Sequence, residues 1–171
     1  MTRHAGRYRI AVAAGVLATA AAIIVPSTSA LVLPGCKASQ LAASMSVIKG
    51  SAGAGNIGYK LALKNHGGAC NLGNHPVLKL LKGNGAKLPT HVTWSGAAGL
   101  VTIGSGHSAT ARLRFSPDIP GRGEPGKGPC EPTAHYIGVI LSALGHGNLA
   151  GAVKPPTSVC EHGAIQAQSL T

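Results

Sequence analysis

The chain has 171 residues, with 15 Lys plus Arg against 4 Asp plus Glu, and its aromatic rings are one Trp, three Tyr and one Phe. Charged residues make up 11 %, far below the roughly 25 % of typical globular chains, while 44 % apolar residues are enough to bury a core. The length fits one domain, and so few carboxylates leave little for calcium cages, two-metal sites or paired-carboxylate hydrolysis.

The N-terminus reads as an export signal. Arg3, Arg7 and Arg9 precede an uncharged run from Ile10 to Val25, Pro26 breaks it, and Ser27-Thr28-Ser29-Ala30 offers a small-residue cleavage site. The run is shorter than the roughly 20 apolar residues of a spanning helix. No two arginines are adjacent, which disfavours a twin-arginine route. Leu33-Pro34-Gly35-Cys36 partly resembles a lipobox, but Pro34 stiffens backbone that a peptidase must hold extended. We therefore expect residues 1–30 to be a signal peptide and residues 31–171 a single secreted domain, with its core at about 36–165 and no transmembrane span. Without the first thirty residues, 12 basic residues face 4 acidic ones, a net charge of +8.

All four cysteines, Cys36, Cys70, Cys130 and Cys160, lie in the exported part. An even number outside the cytoplasm reads as two disulfides, and no CxxC spacing suggests a redox or zinc motif. Three connectivities are open at this level. Sequential pairing closes the two shortest loops.

Short strands separated by turns follow. Ile57, Tyr59, Leu61 and Leu63 alternate with Gly58, Lys60, Ala62 and Lys64, the period-2 pattern of a half-buried strand. Val77 to Lys82 reads as the next strand, ended by the hairpin-type turn Gly83-Asn84-Gly85. His91–Trp94 and Leu100–Ile103 are short apolar-rich runs, and Ala109, Ala111, Leu113 and Phe115 alternate with polar residues again. Pro117 to Pro132 is too breaker-dense for a regular element. Tyr136 to Leu144 reads as a central strand, and a last strand is expected near Leu149 to Val153, before Pro155-Pro156. Frequent turn signals and the lack of 3.6-residue periodicity predict an all-β fold, an immunoglobulin-like antiparallel β-sandwich.

The stretch Gly58-Tyr59-Lys60-Leu61-Ala62-Leu63-Lys64-Asn65-His66-Gly67, followed by Cys70-Asn71-Leu72-Gly73 and Pro76, resembles the actinobacterial secreted family called domain of unknown function 4232. The later turn and strand at Gly106-His107-Ser108-Ala109-Thr110-Ala111 and the cysteines Cys36, Cys130 and Cys160 complete the likeness, which spans about residues 36–165. The chain departs from the family pattern at Gly73-Asn74-His75-Pro76, where members usually have a ring between Gly and Pro, and a longer turn is expected there. The resemblance implies an exported, disulfide-bonded β-sandwich of the cell envelope. It implies no activity and no catalytic residues.

Candidate chemistry is sparse. The seven histidines after residue 30 show no metal-ligand spacing and mostly neighbour Gly, Asn or Pro. His66 and His75, which flank Cys70, are the pair from which a metal-binding alternative would be built. Asp118 has no GxSxG serine to serve, so a small secreted hydrolase is the weaker alternative. Glu124, Glu131 and Glu161 are expected to be solvated or paired with Arg122 and Lys127. Four rings in the exported part are thin for nucleic-acid binding. Lys60 and Lys64, Lys79 and Lys82, and Arg112 and Arg114 lie on three predicted strands whose polar faces would merge if they shared a sheet. Such a face suits anionic envelope polymers or lipid headgroups. The expectation is a non-enzymatic binding or structural module, extracellular or envelope-associated, with no cofactor and no resident metal.

Overall fold

In the computed structural model, residues 32–171 except Gly128 are described. The expected export segment, residues 1–30, lies outside the described residues. Among those described, no helix is long and apolar enough to cross a membrane.

Ten strands carry the fold: β1 (Leu41–Val47), β2 (Ile57–Asn65), β3 (Cys70–Gly73), β4 (Val77–Leu81), β5 (His91–Ser95), β6 (Leu100–Ile103), β7 (Ser108–Phe115), β8 (Ala134–Ile140), β9 (Asn148–Thr157) and β10 (Ala164–Gln168). Eight of them form one sheet in the order β4-β8-β9-β1-β2-β7-β10-β5, and β3 pairs with β6 in a second, small sheet. The protein is thus mostly β with two disulfides, Cys36–Cys70 and Cys130–Cys160.

The alternation read from sequence sets the sheet's inner face. Tyr59, Leu61 and Leu63 of β2 are buried, and their register partners on β7 are Leu113, Ala111 and Ala109. Ala111 and Ala109 of β7 thus stand beside Leu61 and Leu63 of β2, which lets the layer interdigitate. Each such leucine contributes roughly 2 kcal/mol through burial. Met45, Leu78, Leu80, Ile137, Val139, Val153 and Ile165 bring the other strands into the same core. The two edge strands, β4 and β5, line one groove that also holds His75 and Trp94.

Three features depart from expectation. The sheet is mixed rather than antiparallel, because β1 pairs with β9 and β10 with β5 in parallel. No local pattern encodes that direction. The apolar run expected at Tyr136–Leu144 forms a strand only to Ile140, and Ala134 and His135 extend it at the other end. β9 runs through Pro155-Pro156 to Thr157 instead of stopping before them. The prolines fit there because β1 reaches only as far as Lys154, and the β8 register shifts between Ala134 and Tyr136. Neither ladder therefore asks them for an N–H.

Asn65, at the end of β2, explains the Asn-x-Gly turn. It is fully buried, and its amide Nδ2 donates to the carbonyls of Gly68 (2.8 Å) and Ile103 (3.0 Å). Its Oδ1 accepts from the Gly67 N–H at 2.9 Å. One side chain therefore ties β2, the following turn and β6 together, beside the Cys36–Cys70 bridge.

Candidate functional site

The outer face of the large sheet holds most of the basic residues singled out in the sequence. Because β2 and β7 are neighbours, Lys60 is the direct cross-strand partner of Arg112, and Arg114 stands opposite Gly58. Ser46 of β1 is opposite Lys60, and Lys154 of β9 is opposite Ser46. Paired residues share a face of a sheet, so Lys154, Ser46, Lys60 and Arg112 form one row across four strands. With strands about 5 Å apart, the row is about 14 Å long. Lys64 lies further along β2 on the same face, opposite Ser108.

Gly58 matters to this arrangement. A Cβ there would press on the Ser51 side chain, 3.0 Å from its Cβ, and only touch the Arg112 Nε at 3.5 Å, so the bare backbone makes room for Ser51 beside the row. Beside the row lies a shallow groove of about 700 Å³, lined by Arg112, Arg114, Gln166, Gln168, Thr93 and Ser95 among others. Its side chains offer hydrogen bonds, and Arg112 and Arg114 give it positive charge.

The sequence reading is only partly matched in placement. Lys60, Lys64, Arg112 and Arg114 come together. Lys79 and Lys82 do not: Lys79 lies on β4, which β8, β9 and β1 separate from β2, and Lys82 follows β4 in the turn. Lys154 was missed, since only the parallel β1–β9 pairing brings it into the row. Among the described residues, the ion-pair contacts within 4.0 Å all belong to His162, so the basic row has no carboxylate partner.

The histidine pair behaves otherwise than a chelating site would. The His75 ring stacks on Trp94, with centroids 5.1 Å apart and planes 10° apart, and its Nε2 lies 2.7 Å from the Ser169 hydroxyl. The imidazole thus packs as a ring between Gly73 and Pro76, where the sequence departs from the family pattern. His66 is exposed in the turn after β2. Neither joins a cluster of potential ligands among the described residues.

Glu161 is exposed, as expected, but Glu124 differs. Glu124 does not pair with Arg122 or Lys127. Its carboxylate accepts backbone N–H groups from Gly121 (2.6 Å), Glu161 (2.9 Å) and His162. Burial would raise its pKa, but these three donors and the nearby His162 hold it below the usual carboxylate range.

The model of a family described as a domain of unknown function, DUF4232, matches residues 36–168. The chain belongs to this family. No curated protein and no solved structure gives a significant match. The matched span opens at the first disulfide cysteine and closes on the last residue of β10, so this DUF4232 domain is the whole sheet.

Proposed function

We propose that the protein is a secreted, non-enzymatic binding module that engages anionic polymers or headgroups of an actinobacterial cell envelope through the outer face of its sheet. The observation that carries this reading is the Lys60–Arg112 pair. Like charges directly opposite on neighbouring strands cost stability, roughly 0.2–1 kcal/mol, and among the described residues no carboxylate within reach relieves them. A phosphate or carboxylate laid along the row would relieve that repulsion, and arginine would hold it in bidentate fashion. The two disulfides and the export signal fit an oxidising, extracellular location. An immunoglobulin-like sandwich, in which the large sheet wraps around one core, fits the single shared cluster of buried residues.

The test is binding to poly(glycerol phosphate) and, separately, to phosphatidylglycerol vesicles. Affinity should fall with salt, because exposed charges are screened. The double substitution Lys60→Gln with Arg112→Gln should cost about 2 kcal/mol, roughly thirtyfold, at about 1 kcal/mol per cation. Retention that ignores both salt and the substitutions refutes the reading. The polymer and vesicle arms separate a wall polymer from a lipid source.

A further inference from the structure

Three of the chain's four carboxylates, Glu124, Glu131 and Glu161, sit on the two segments that the Cys130–Cys160 bridge joins. The second segment contains a short turn, Cys160–Gly163, wound left-handed: Glu161 and His162 have φ of 56° and 55°, and Gly163 has φ 79°. Side chains rarely adopt this conformation, at a cost of roughly 1–2 kcal/mol per residue. Here the Glu161 and His162 N–H groups both point at the Glu124 carboxylate, as in a backbone nest around an anion. The turn fixes Glu124 and aims the His162 ring.

The ring's hydrogen bonding fixes its tautomer. His162 Nε2 lies 3.0 Å from the Arg122 carbonyl oxygen. A carbonyl only accepts, so Nε2 carries a hydrogen, and in the neutral ring Nδ1 presents its lone pair. That lone pair faces two carboxylate oxygens, Glu124 Oε1 at 3.6 Å and Glu131 Oε1 at 3.9 Å. Both distances exceed those of an N–H···O hydrogen bond, about 2.7–3.2 Å. They lie close to the separation of two ligands on one small cation: bonds of about 2.1 Å in a tetrahedron place ligand atoms about 3.4 Å apart. A ring N–H held by a backbone carbonyl is also the usual support of a metal-binding histidine.

We infer that Glu124, Glu131 and His162 form a three-ligand site for a first-row divalent cation, with zinc the best fit to one imidazole and two carboxylates. Two carboxylates and a neutral ring carry −2, which the cation balances. The Glu124 and Glu131 side chains are 2 % and 16 % exposed and that of His162 is 55 % exposed, so the cation enters from the histidine side and keeps a fourth position for water. The sulfurs of Cys130 and Cys160 also lie near Glu124, but their bond to each other removes them as ligands. The site is separate from the basic row and does not depend on its function.

Titrating zinc chloride into the full chain by calorimetry, with NMR of the imidazole nitrogens, tests this. One zinc per chain should bind, and the His162 Nδ1 resonance should move. Glu131→Gln and His162→Ala should each weaken binding by about tenfold or more, while His107→Ala, in an exposed turn, should leave it unchanged. Glu131→Gln is the decisive variant, because among the described residues no hydrogen bond reaches its carboxylate and the zinc-free fold should not notice the change. Equal melting temperatures without zinc verify that. Absence of zinc binding, or zinc binding indifferent to both substitutions, overturns the inference. So does a His162 ring protonated on both nitrogens and unmoved by zinc, which would make the cluster a simple ion pair.

Discussion

Replacing Asn65 with alanine should unfasten the turn that links β2 to the small sheet. The three shortest hydrogen bonds of its side chain are lost together: two from Nδ2, to Gly68 and Ile103, and one to Oδ1 from Gly67. At about 1 kcal/mol net per bond the cost is about 3 kcal/mol, and more if water cannot reach the orphaned Ile103 carbonyl. For a domain of this size, that lowers the melting temperature by about 12 °C. Thermal unfolding followed by circular dichroism, with both disulfides intact, measures it. Asn65→Asp is the informative companion. It keeps the acceptor that faces Gly67 but replaces the donating Nδ2 with a carboxylate oxygen pointing at carbonyls, so at neutral pH it should be no more stable than the alanine variant. A loss below about 3 °C for Asn65→Ala would refute the idea that this amide organises the turn.

Three further outcomes follow from the same structure. Burial raises the Tyr59 phenol above its ordinary value, with the Thr157 hydroxyl acting the other way. The folded protein therefore holds this proton more tightly, and the stability it contributes is complete below about pH 10 and lost as pH rises through the folded pKa. Tyr59→Phe should flatten part of the alkaline decline in denaturant titrations while costing about 1 kcal/mol for the hydroxyl's bond to the Pro155 carbonyl. Gly151→Ala should destabilise by about 3 kcal/mol or fail to fold, because its Cβ would stand against the Ala43 carbonyl where β9 meets β1; a stable variant would disprove that close approach. Lys60→Thr should leave stability unchanged or raise it by a few tenths of a kcal/mol in chemical denaturation, since it removes a like-charge neighbour and adds a β-branched residue. A clear loss would mean that the lysine stem, not its charge, matters there.

How much of this was legible in the sequence varies by element. β2 and β7 were plain because their inner residues, Tyr59, Leu61 and Leu63 on one and Ala109 to Phe115 on the other, alternate without interruption. β3, four residues long, and β10, whose two buried residues are Ile165 and Ala167, are too short and too small-sided to stand out. The turn at Gly83-Asn84-Gly85 formed, but beyond it only an isolated bridge joins Leu81 to Lys87. Asparagine-glycine chemistry specifies a reversal of the chain, not a second strand. The parallel pairings carry no local mark, and Lys154 was invisible for that reason. The glutamate–histidine cluster was hidden differently. Glu124 and His162 are 38 positions apart, and it takes the disulfide and a left-handed turn to bring them face to face.

Strand order also dictates when the sheet can close during synthesis. β1 and β2 are made early and pair as sequence neighbours, yet the other side of β1 stays unpaired until residue 148 has followed. β10 arrives last and slides between β7 and β5, which have no other connection in the sheet. A chain cut before Ala164 would leave β7 as an open edge and strip β5 of its one neighbour in the sheet, each a template for pairing with another copy. The mutual protection of all eight strands therefore waits for a segment of five residues near the C-terminus. Until it docks, the nascent protein is a set of sticky ribbons.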